Sequence, residues 1–247
     1  MSQAVNIDNL RQIVDEIAMI AGDNHGFILG GCVRDLIVGG KQPKDVDINF
    51  PNEADKDNFL VDIRSRTSIS IVVKDFHKLR ACNLYITTAT KDNYSIAVDI
   101  VIRERVGGCE FYANGLIYDG RAVKHILDTD NSNRVLTAAL EQVKDRILVP
   151  TPRFYREAGR QRRYYRKRIQ KFLDRGWRLA DDHLDEVRTL LVQATSVGSG
   201  DQTSSLNKTI TGRDNLILTS ADNVAATDLD QARQLQVQLK TLINRSW

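Results

Sequence analysis

The stretch that decides the fold is Gly30-Gly31-Cys32-Val33-Arg34-Asp35, which is followed ten residues later by Asp45-Val46-Asp47-Ile48. An apolar run at 26–30 precedes the glycine pair and predicts a strand, and 32–38 predicts a short helix. Paired glycines between a strand and a helix let a ligand approach the backbone where a Cβ would block it. A helix start offers unpaired N–H groups to phosphate, and an arginine in its first turn adds a fork of donors.

Three aspartates accompany this turn. Asp45 and Asp47 alternate with apolar residues on a predicted strand, so that both side chains project from one face. Two carboxylates this close repel each other, and a divalent cation such as Mg²⁺ or Mn²⁺ relieves the repulsion. Asp99 is a single acid in the apolar run Ala97-Val98-Asp99-Ile100-Val101, where a lone charge is costly unless it faces a cation or solvent. If the two strands are neighbours, the three acids form a phosphoryl-transfer site.

Each of these signals has an ordinary alternative. Glycine pairs usually mark turns, and Asp-x-Asp triplets occur by chance and also in metal-using glycosyltransferases. The ordered set is more specific: a strand, a glycine pair, a helix with Arg34-Asp35, and then Asp45-x-Asp47 on a strand. This order favours the head domain of a nucleotidyltransferase.

The charge of the chain is unevenly distributed. Residues 146–178 contain twelve basic and two acidic residues, a net charge of +10, whereas the rest of the chain carries −7 and the whole chain +3. A basic segment of this kind usually meets phosphate, although a solvated helix face is the alternative. Aromatic residues lie within the segment and could stack on bases or form the core face of a helix: Phe154, Tyr155, Tyr164, Tyr165 and Phe172.

The periodicity predicts an α/β head at 1–126, a helical segment at 127–195, and a linker with a C-terminal helix at 196–247. Asp8 is expected to cap the first helix and Asn52 a second one. Predicted strands follow at 69–74, 84–88 and 95–103, and the turn at 118–121 is expected to join two short strands. Helices are predicted at 133–146, 152–174 and 182–193, the linker is centred on 195–205, and the final helix at 223–243 has a leucine stripe suited to packing within or between chains.

With these motifs the sequence resembles the family of class II tRNA CCA-adding enzymes and bacterial poly(A) polymerases. The family pattern GGxVRDxLLG…DxDI is matched at 30–39 and 45–48, a looser match covers 109–116, and the EDxxRxxRxxRF pattern is followed at 157–166. The resemblance implies an α+β fold: a nucleotidyltransferase (polymerase β-like) head with a mixed sheet flanked by helices, followed by a small helical domain. It also implies template-independent addition of AMP or CMP to an RNA 3′ end, with tRNA as a candidate acceptor.

The resemblance assigns roles to residues of this chain. Asp45, Asp47 and Asp99 would be catalytic, with Asp45 and Asp47 bridging Mg²⁺ or Mn²⁺, and ATP or CTP would be the substrate. Glu157 and Arg160 would read the base, since a carboxylate and a guanidinium offer it acceptor and donor edges. The remaining nucleotide-binding residues would be Gly30, Gly31, Arg34, Asn114, Arg163 and Arg166.

Departures from the family pattern keep other functions open. Cys109 stands where the family has arginine, and Glu157 stands where aspartate is usual. Nucleotidyl transfer is therefore expected more firmly than CCA addition. One alternative is a catalytically lapsed binding or structural assembly module that self-associates through its C-terminal helix. Another is an enzyme of the same fold that modifies a protein or a small molecule.

Several other classes lack support in the sequence. The three cysteines form no CxxC pair, which argues against a disulfide framework and fits a reducing, cytoplasmic compartment. No stretch approaches the ~20 apolar residues of a membrane helix, and the N-terminus does not read as a signal peptide, so no membrane partner is expected. P-loop and GxGxxG motifs are absent, and the four histidines have no metal-ligand spacing.

Overall fold

The structure is a computed structural model that describes residues 6–79, 81–129 and 132–192. The chain forms two compact units, which divide between Lys144 and Asp145. The domain boundaries predicted from the sequence remain predictions.

The first unit is built around a seven-stranded sheet in the order β3-β4-β5-β2-β1-β6-β7. β2 and β5 are parallel and the other neighbours are antiparallel, so the sheet is mixed and the predicted α+β class is confirmed. The elements are α1 (Ile7–Asp23), β1 (Phe27–Leu29), a π-helical segment (Val33–Val38), β2 (Val46–Phe50), α2 (Glu53–Arg66), β3 (Ser70–Lys78), β4 (Asn83–Lys91), β5 (Tyr94–Ile102), a 3₁₀ turn (Tyr112–Asn114), β6 (Leu116–Tyr118), β7 (Val123–His125) and α3 (Arg134–Asp145).

Helices α1 and α2 pack on one face of the sheet. Most apolar residues of α1 are buried, as are Phe59 and Ile63 of α2, and the rings of Phe50 on β2 and Phe59 on α2 lie 5.1 Å apart. Because side chains alternate along a strand, burying Phe50 against α2 places Asp47 on the opposite face. The predicted cap of α2 by Asn52 is confirmed, whereas the cap of α1 is Asn6 and not Asp8. The Asn6 side chain accepts the N–H groups of the first turn, and Asp8 lies inside the helix.

The strand predictions at 69–74, 84–88 and 95–103 are confirmed. β3 and β4 are longer than predicted, and β5 has the predicted length but begins one residue earlier. β3, β4 and β5 form an antiparallel meander with a bulge between Val73 and Asp75. The predicted turn after Tyr118 joins β6 to β7. Gly120 has a φ of +83°, and a Cβ there would lie 2.4 Å from backbone atoms of Met19. Only glycine fits this turn, which lies directly against α1.

The second unit is mainly helical. Its elements are β8 (Ile147–Leu148), α4 (Pro152–Ala158), α5 (Arg162–Leu173), β9 (Arg178–Leu179), a 3₁₀ turn (Asp181–His183) and α6 (Leu184–Val192). The prediction of one helix over 152–174 is wrong, because the chain leaves helical geometry at Gln161, where φ is −120° and ψ is 37°. Phe154, Tyr165, Ile169 and Phe172 are buried in the core of this unit.

Each of the three cysteines is a free thiol, and Cys32 and Cys109 are buried. Within the described part of the chain, no helix has both the length and the apolar character needed to cross a bilayer. The predicted linker at 195–205 and the predicted helix at 223–243 lie outside the described residues.

Candidate active site

Three neighbouring strands, β1, β2 and β5, place the glycine turn at 30–31 next to Asp47 and Asp99. The β1–β2 register pairs Leu29 with Asp47, and the β2–β5 register pairs Asp47 with Asp99. Neighbouring strands lie about 4.8 Å apart and paired residues share a face, so the Asp47 and Asp99 side chains stand next to each other. Asp45 immediately precedes β2, and Gly30 immediately follows Leu29. The glycine turn, at the end of β1, and the acids of β2 and β5 therefore lie close together on the same side of the sheet.

The acids perturb one another and their surroundings. Burial raises the pKa of the Asp99 carboxyl above its ordinary value, and the charge of Asp45 raises it further, while Lys44 opposes the shift. Lys44 Nζ lies 3.3 Å from Asp45 Oδ2. Burial likewise raises the pKa of the Cys32 thiol, followed by the charges of Asp47, Asp35 and Asp45. The site thus holds an excess of negative charge that extends to the glycine turn.

The donors fit Mg²⁺ or Mn²⁺ in kind, because all three acids supply carboxylate oxygens and a cation would offset their repulsion. Asp47 and Asp99 are side by side, and Asp45 is close enough for its charge to act on Asp99. Within the described residues, however, no group of three or more Asp, Glu, His or Cys side chains is arranged as a complete metal site. The metal-binding role of Asp45 and Asp47 stays a prediction.

In the glycine turn, Gly30 is hydrogen-bonded to the neighbouring strand β6, whereas Gly31 has space around it. Gly30 has a φ of +69°, which favours glycine, and its N–H donates to the carbonyl of Leu116. Among the described residues, the atom nearest to a Cβ built on Gly31 is Arg34 Nη2, at 3.7 Å. None of these residues therefore fills the space over Gly31, as a phosphate cradle requires. The helix that follows is a six-residue π-helical segment, so the open turn, more than a helix dipole, would receive an anion.

Arg34 is buried and its guanidinium is held on three sides. Nε and Nη2 donate to the two carboxylate oxygens of Asp35 at 2.6 and 2.7 Å, and Nη1 donates to Asn114 Oδ1 at 2.5 Å. These bonds connect the glycine turn to the 3₁₀ turn at Tyr112–Asn114. In this structure Arg34 positions Asn114, and its predicted contact with the triphosphate stays a prediction.

Asn114 is the clearest unsatisfied group beside the glycine turn. It is 7% exposed, and its Nδ2 is buried without a hydrogen-bond partner among the described residues. An unpaired buried donor costs roughly 1–3 kcal/mol, which a ligand oxygen would restore.

Cys109, which replaces the arginine of the family pattern, is buried near Gly115, where a Cβ would lie 2.8 Å from its Sγ. It packs beneath the 3₁₀ turn as a core residue.

In the second unit, Glu157 lies at the end of α4, before the break that precedes α5. Its Oε1 accepts a hydrogen bond from Arg153 Nε at 3.0 Å, and its Oε2 accepts one from the Tyr165 hydroxyl at 2.8 Å. About a third of the Glu157 side chain remains exposed, which leaves it open to a ligand.

The three predicted arginines of this unit occupy different environments. Arg160 lies in the break and is exposed, and Arg163 is exposed on the first turn of α5. Arg166 donates through Nε and Nη2 to the carbonyl of Leu191 near the end of α6. Positions 157, 160, 163 and 166 are spaced by three, but they do not lie on one continuous helix, because α4 ends at Ala158 and α5 begins at Arg162. The nucleotide-binding roles of all four residues stay predictions.

Sequence reasoning missed Asp35, Arg153 and Tyr165 as partners of the predicted site residues. The i,i+4 spacing of Arg153 and Glu157 is a recognisable helical pair and could have revealed the first contact of Glu157. Tyr165 is eight residues beyond Glu157 and has no such signal in a continuous helix. Only the break at Gln161 brings its hydroxyl back to the carboxylate.

Neither a protein-family model nor a curated protein matches this chain. Among solved structures it is similar to a CCA-adding enzyme in complex with ATP, with 15% identity and a TM-score of 0.47, over 77% of this chain and 42% of that one. It is also similar to the Thermotoga maritima CCA-adding enzyme complexed with tRNA, with 13% identity and a TM-score of 0.47, over 76% of this chain and 43% of that one.

A third similar structure is JHP933 from Helicobacter pylori, with 12% identity and a TM-score of 0.36, over 98% of this chain and 92% of that one. The chain spans less than half the length of the two CCA-adding enzymes above. Likenesses at this level of identity concern the fold alone.

Proposed function

We propose that the protein is a metal-dependent nucleotidyltransferase. The observation that carries the proposal is the strand register, which pairs Leu29 with Asp47 and Asp47 with Asp99. This register sets two acids beside each other and next to the glycine turn that follows Leu29. More specifically, it adds CMP or AMP, without a template, to the 3′ end of an RNA. The +10 charge of residues 146–178 supports a nucleic-acid acceptor.

In this reaction the 3′-hydroxyl oxygen of the RNA bonds to the α-phosphorus of the nucleotide, the bond to the β-phosphate bridging oxygen breaks, and pyrophosphate leaves. The hydroxyl proton is released to solvent. Mg²⁺ held by Asp45 and Asp47, with Asp99 beside them, would supply the Lewis-acid chemistry that activates the hydroxyl and neutralises the leaving group. Gly30 and Gly31 leave room for the triphosphate, and Asn114 Nδ2 donates to one of the ligand's oxygens.

Base selection follows from the chemistry of Glu157. A carboxylate only accepts hydrogen bonds, so it favours bases that present an exocyclic amino group: N4 of cytosine or N6 of adenine. Uracil O4 and guanine O6 stand at the corresponding position and cannot donate a hydrogen bond to the carboxylate there. Arg160 supplies a donor for a ring acceptor, and Arg163 and Arg166 add positive charge that favours binding of an anionic nucleotide.

A second candidate function is nucleotide binding without transfer. It is supported by the three hydrogen bonds that hold Arg34, which leave its guanidinium engaged by Asp35 and Asn114. A protein of this kind would bind ATP or CTP and leave the RNA unchanged.

The test incubates the protein with Mg²⁺, each labelled nucleoside triphosphate separately, and RNAs that end with no CCA, with CC or with CCA. We expect incorporation of CTP or ATP, and Asp47→Asn should lower it by at least about 100-fold, because it removes a metal-ligand charge. Asp92→Asn is the matched control, since Asp92 lies in the exposed β4–β5 turn at a positive φ that asparagine tolerates. Full activity of Asp47→Asn would reject the proposal, and nucleotide binding without incorporation would favour the second candidate.

A further inference from the structure

The strongest unassigned feature is a group of three side chains around the break in the second unit, which we call the Glu157 clasp: Arg153, Glu157 and Tyr165. Arg153 is one turn before Glu157 on α4, and Tyr165 is on α5. The two donors take different oxygens of the carboxylate, at 3.0 and 2.8 Å. The carboxylate is therefore fixed in direction as well as in place.

The Tyr165 hydroxyl is a rigid donor. The side chain is 1% exposed, and its ring packs edge-on against Phe154 and Tyr164, with centroids 5.0 and 5.1 Å apart. A ring held on two sides cannot swing, so its hydroxyl stays at one position near Glu157. The glutamate side chain has three rotatable bonds, and such a donor removes much of the freedom that a half-exposed glutamate would otherwise keep.

The clasp leaves the carboxylate able to bind a ligand. Each carboxylate oxygen has two lone pairs, and the two donors occupy one on each oxygen. The Glu157 side chain is 32% exposed and that of Arg153 is 36% exposed, so the pair is partly open to solvent. An amino group of a base would meet a carboxylate whose orientation is already set.

We propose that Tyr165 is a positioning residue that, together with Arg153, fixes Glu157 and thereby sets the preference for bases with an amino group at the position of cytosine N4 or adenine N6. This inference rests on the proposed function, because it takes the nucleotide to bind at Glu157. Without the hydroxyl, Glu157 keeps its charge but samples several rotamers. Ordering it on binding then costs free energy that an amino-bearing base must supply, and the advantage of that base falls.

The alternative is that the clasp only connects α4 to α5 across the break. A second tyrosine in the same unit separates the two roles, because the Tyr155 hydroxyl hydrogen-bonds to His183 Nδ1 at 2.6 Å, away from Glu157. Tyr155→Phe and Tyr165→Phe each remove one hydroxyl that bonds to a side chain in the second unit. A purely structural role predicts that both variants change stability and neither changes nucleotide preference.

The test measures equilibrium binding of CTP, ATP, UTP and GTP in Mg²⁺ by titration calorimetry, without RNA, for the full chain and both variants. We expect the unmodified protein to prefer CTP or ATP over UTP, and Tyr165→Phe to reduce this preference about tenfold, which is 1.4 kcal/mol. Tyr155→Phe should keep the preference. An unchanged preference in Tyr165→Phe, or no preference in the unmodified protein, overturns the inference.

Two additions keep the outcome decisive. Arg153→Gln is the second variant, for the case that Tyr165→Phe does not fold, because Arg153 lies on the half-exposed side of the clasp. It should also reduce the preference for CTP or ATP over UTP. An unchanged preference in Arg153→Gln overturns the inference too. Transfer to RNA is measured separately. Selective binding without transfer removes the proposed function and leaves the role of the clasp standing, whereas transfer without any effect of the clasp variants does the reverse.

Discussion

Asp99 is a half-buried acid next to other carboxylates, an arrangement that is unfavourable without a cation. Its pKa is raised by burial and by the charge of Asp45. A carboxyl whose folded-state pKa lies above its unfolded-state value lowers stability once it ionises. The stability cost begins at the unfolded pKa near 3.8 and is complete above the folded-state pKa. Asp99 is therefore expected to reduce stability at neutral pH.

Asp99→Asn should raise the melting temperature at pH 7 in metal-free buffer, by an amount on the order of 1 °C, because the amide removes the charge and keeps the shape. The gain should shrink as the pH falls and vanish below about pH 3.8, where Asp99 is protonated in both states. Thermal denaturation across this pH range checks the sign. Asp92→Asn, which removes an exposed acid, should show no such gain, and a lower melting temperature for Asp99→Asn at pH 7 would contradict the argument.

The acids of the site could be found from sequence because strand alternation and charge in an apolar run are local signals. Asp47 and Asp99 are indeed register partners on adjacent strands. The hydrogen bond from Arg34 to Asn114 was not predictable, because Asn114 is eighty residues away in the chain. Whether an arginine binds a ligand or hydrogen-bonds within the protein depends on such long-range neighbours, which the spacing of residues in the sequence does not reveal.

At the scale of elements, the strands of the sheet could be predicted from their β-branched and apolar runs, whereas the break between α4 and α5 could not be predicted from the sequence. No proline interrupts 153–174, and Gly159 itself has helical dihedrals, with φ −60° and ψ −35°. The carbonyl of Glu157 accepts from the N–H groups of both Arg160 and Gln161, which ends α4. Packing of Phe154 against Tyr165 and the Glu157 clasp stabilise the break, and both are tertiary contacts.

Gly159→Ala should stabilise the protein by about 0.5–1 kcal/mol, because alanine restricts the unfolded chain and suits helical dihedrals. A Cβ at this position would meet no atom of a described residue within 4 Å. The free energy of unfolding from urea denaturation is the measurement. Gly120→Ala is the opposite control, since its φ of +83° and the backbone of Met19 leave no room for a Cβ. Destabilisation by Gly159→Ala would show that the break requires glycine.

At the scale of the whole molecule, charge is divided between a basic segment and an acidic remainder. Residues 146–178 carry +10 and the rest −7, so the small net charge of +3 conceals a strong local field. The face of α5 that carries Lys167 and Lys171 is exposed, together with Tyr164. An RNA strand bound along this segment would release counterions, and its affinity would fall steeply with salt.

We expect the logarithm of the association constant for single-stranded RNA to fall linearly with the logarithm of the KCl concentration, with a slope of roughly −0.7 for each phosphate neutralised. Lys167→Ala combined with Lys171→Ala should reduce the magnitude of this slope by about 1.4, because two contacts are lost. Fluorescence anisotropy of a labelled RNA over a series of KCl concentrations gives the slope. Lys74→Ala with Lys78→Ala, on the exposed strand β3, is the charge-matched control. Equal slopes for the two double variants would place the RNA elsewhere, because counterion release counts only those charges that meet phosphate.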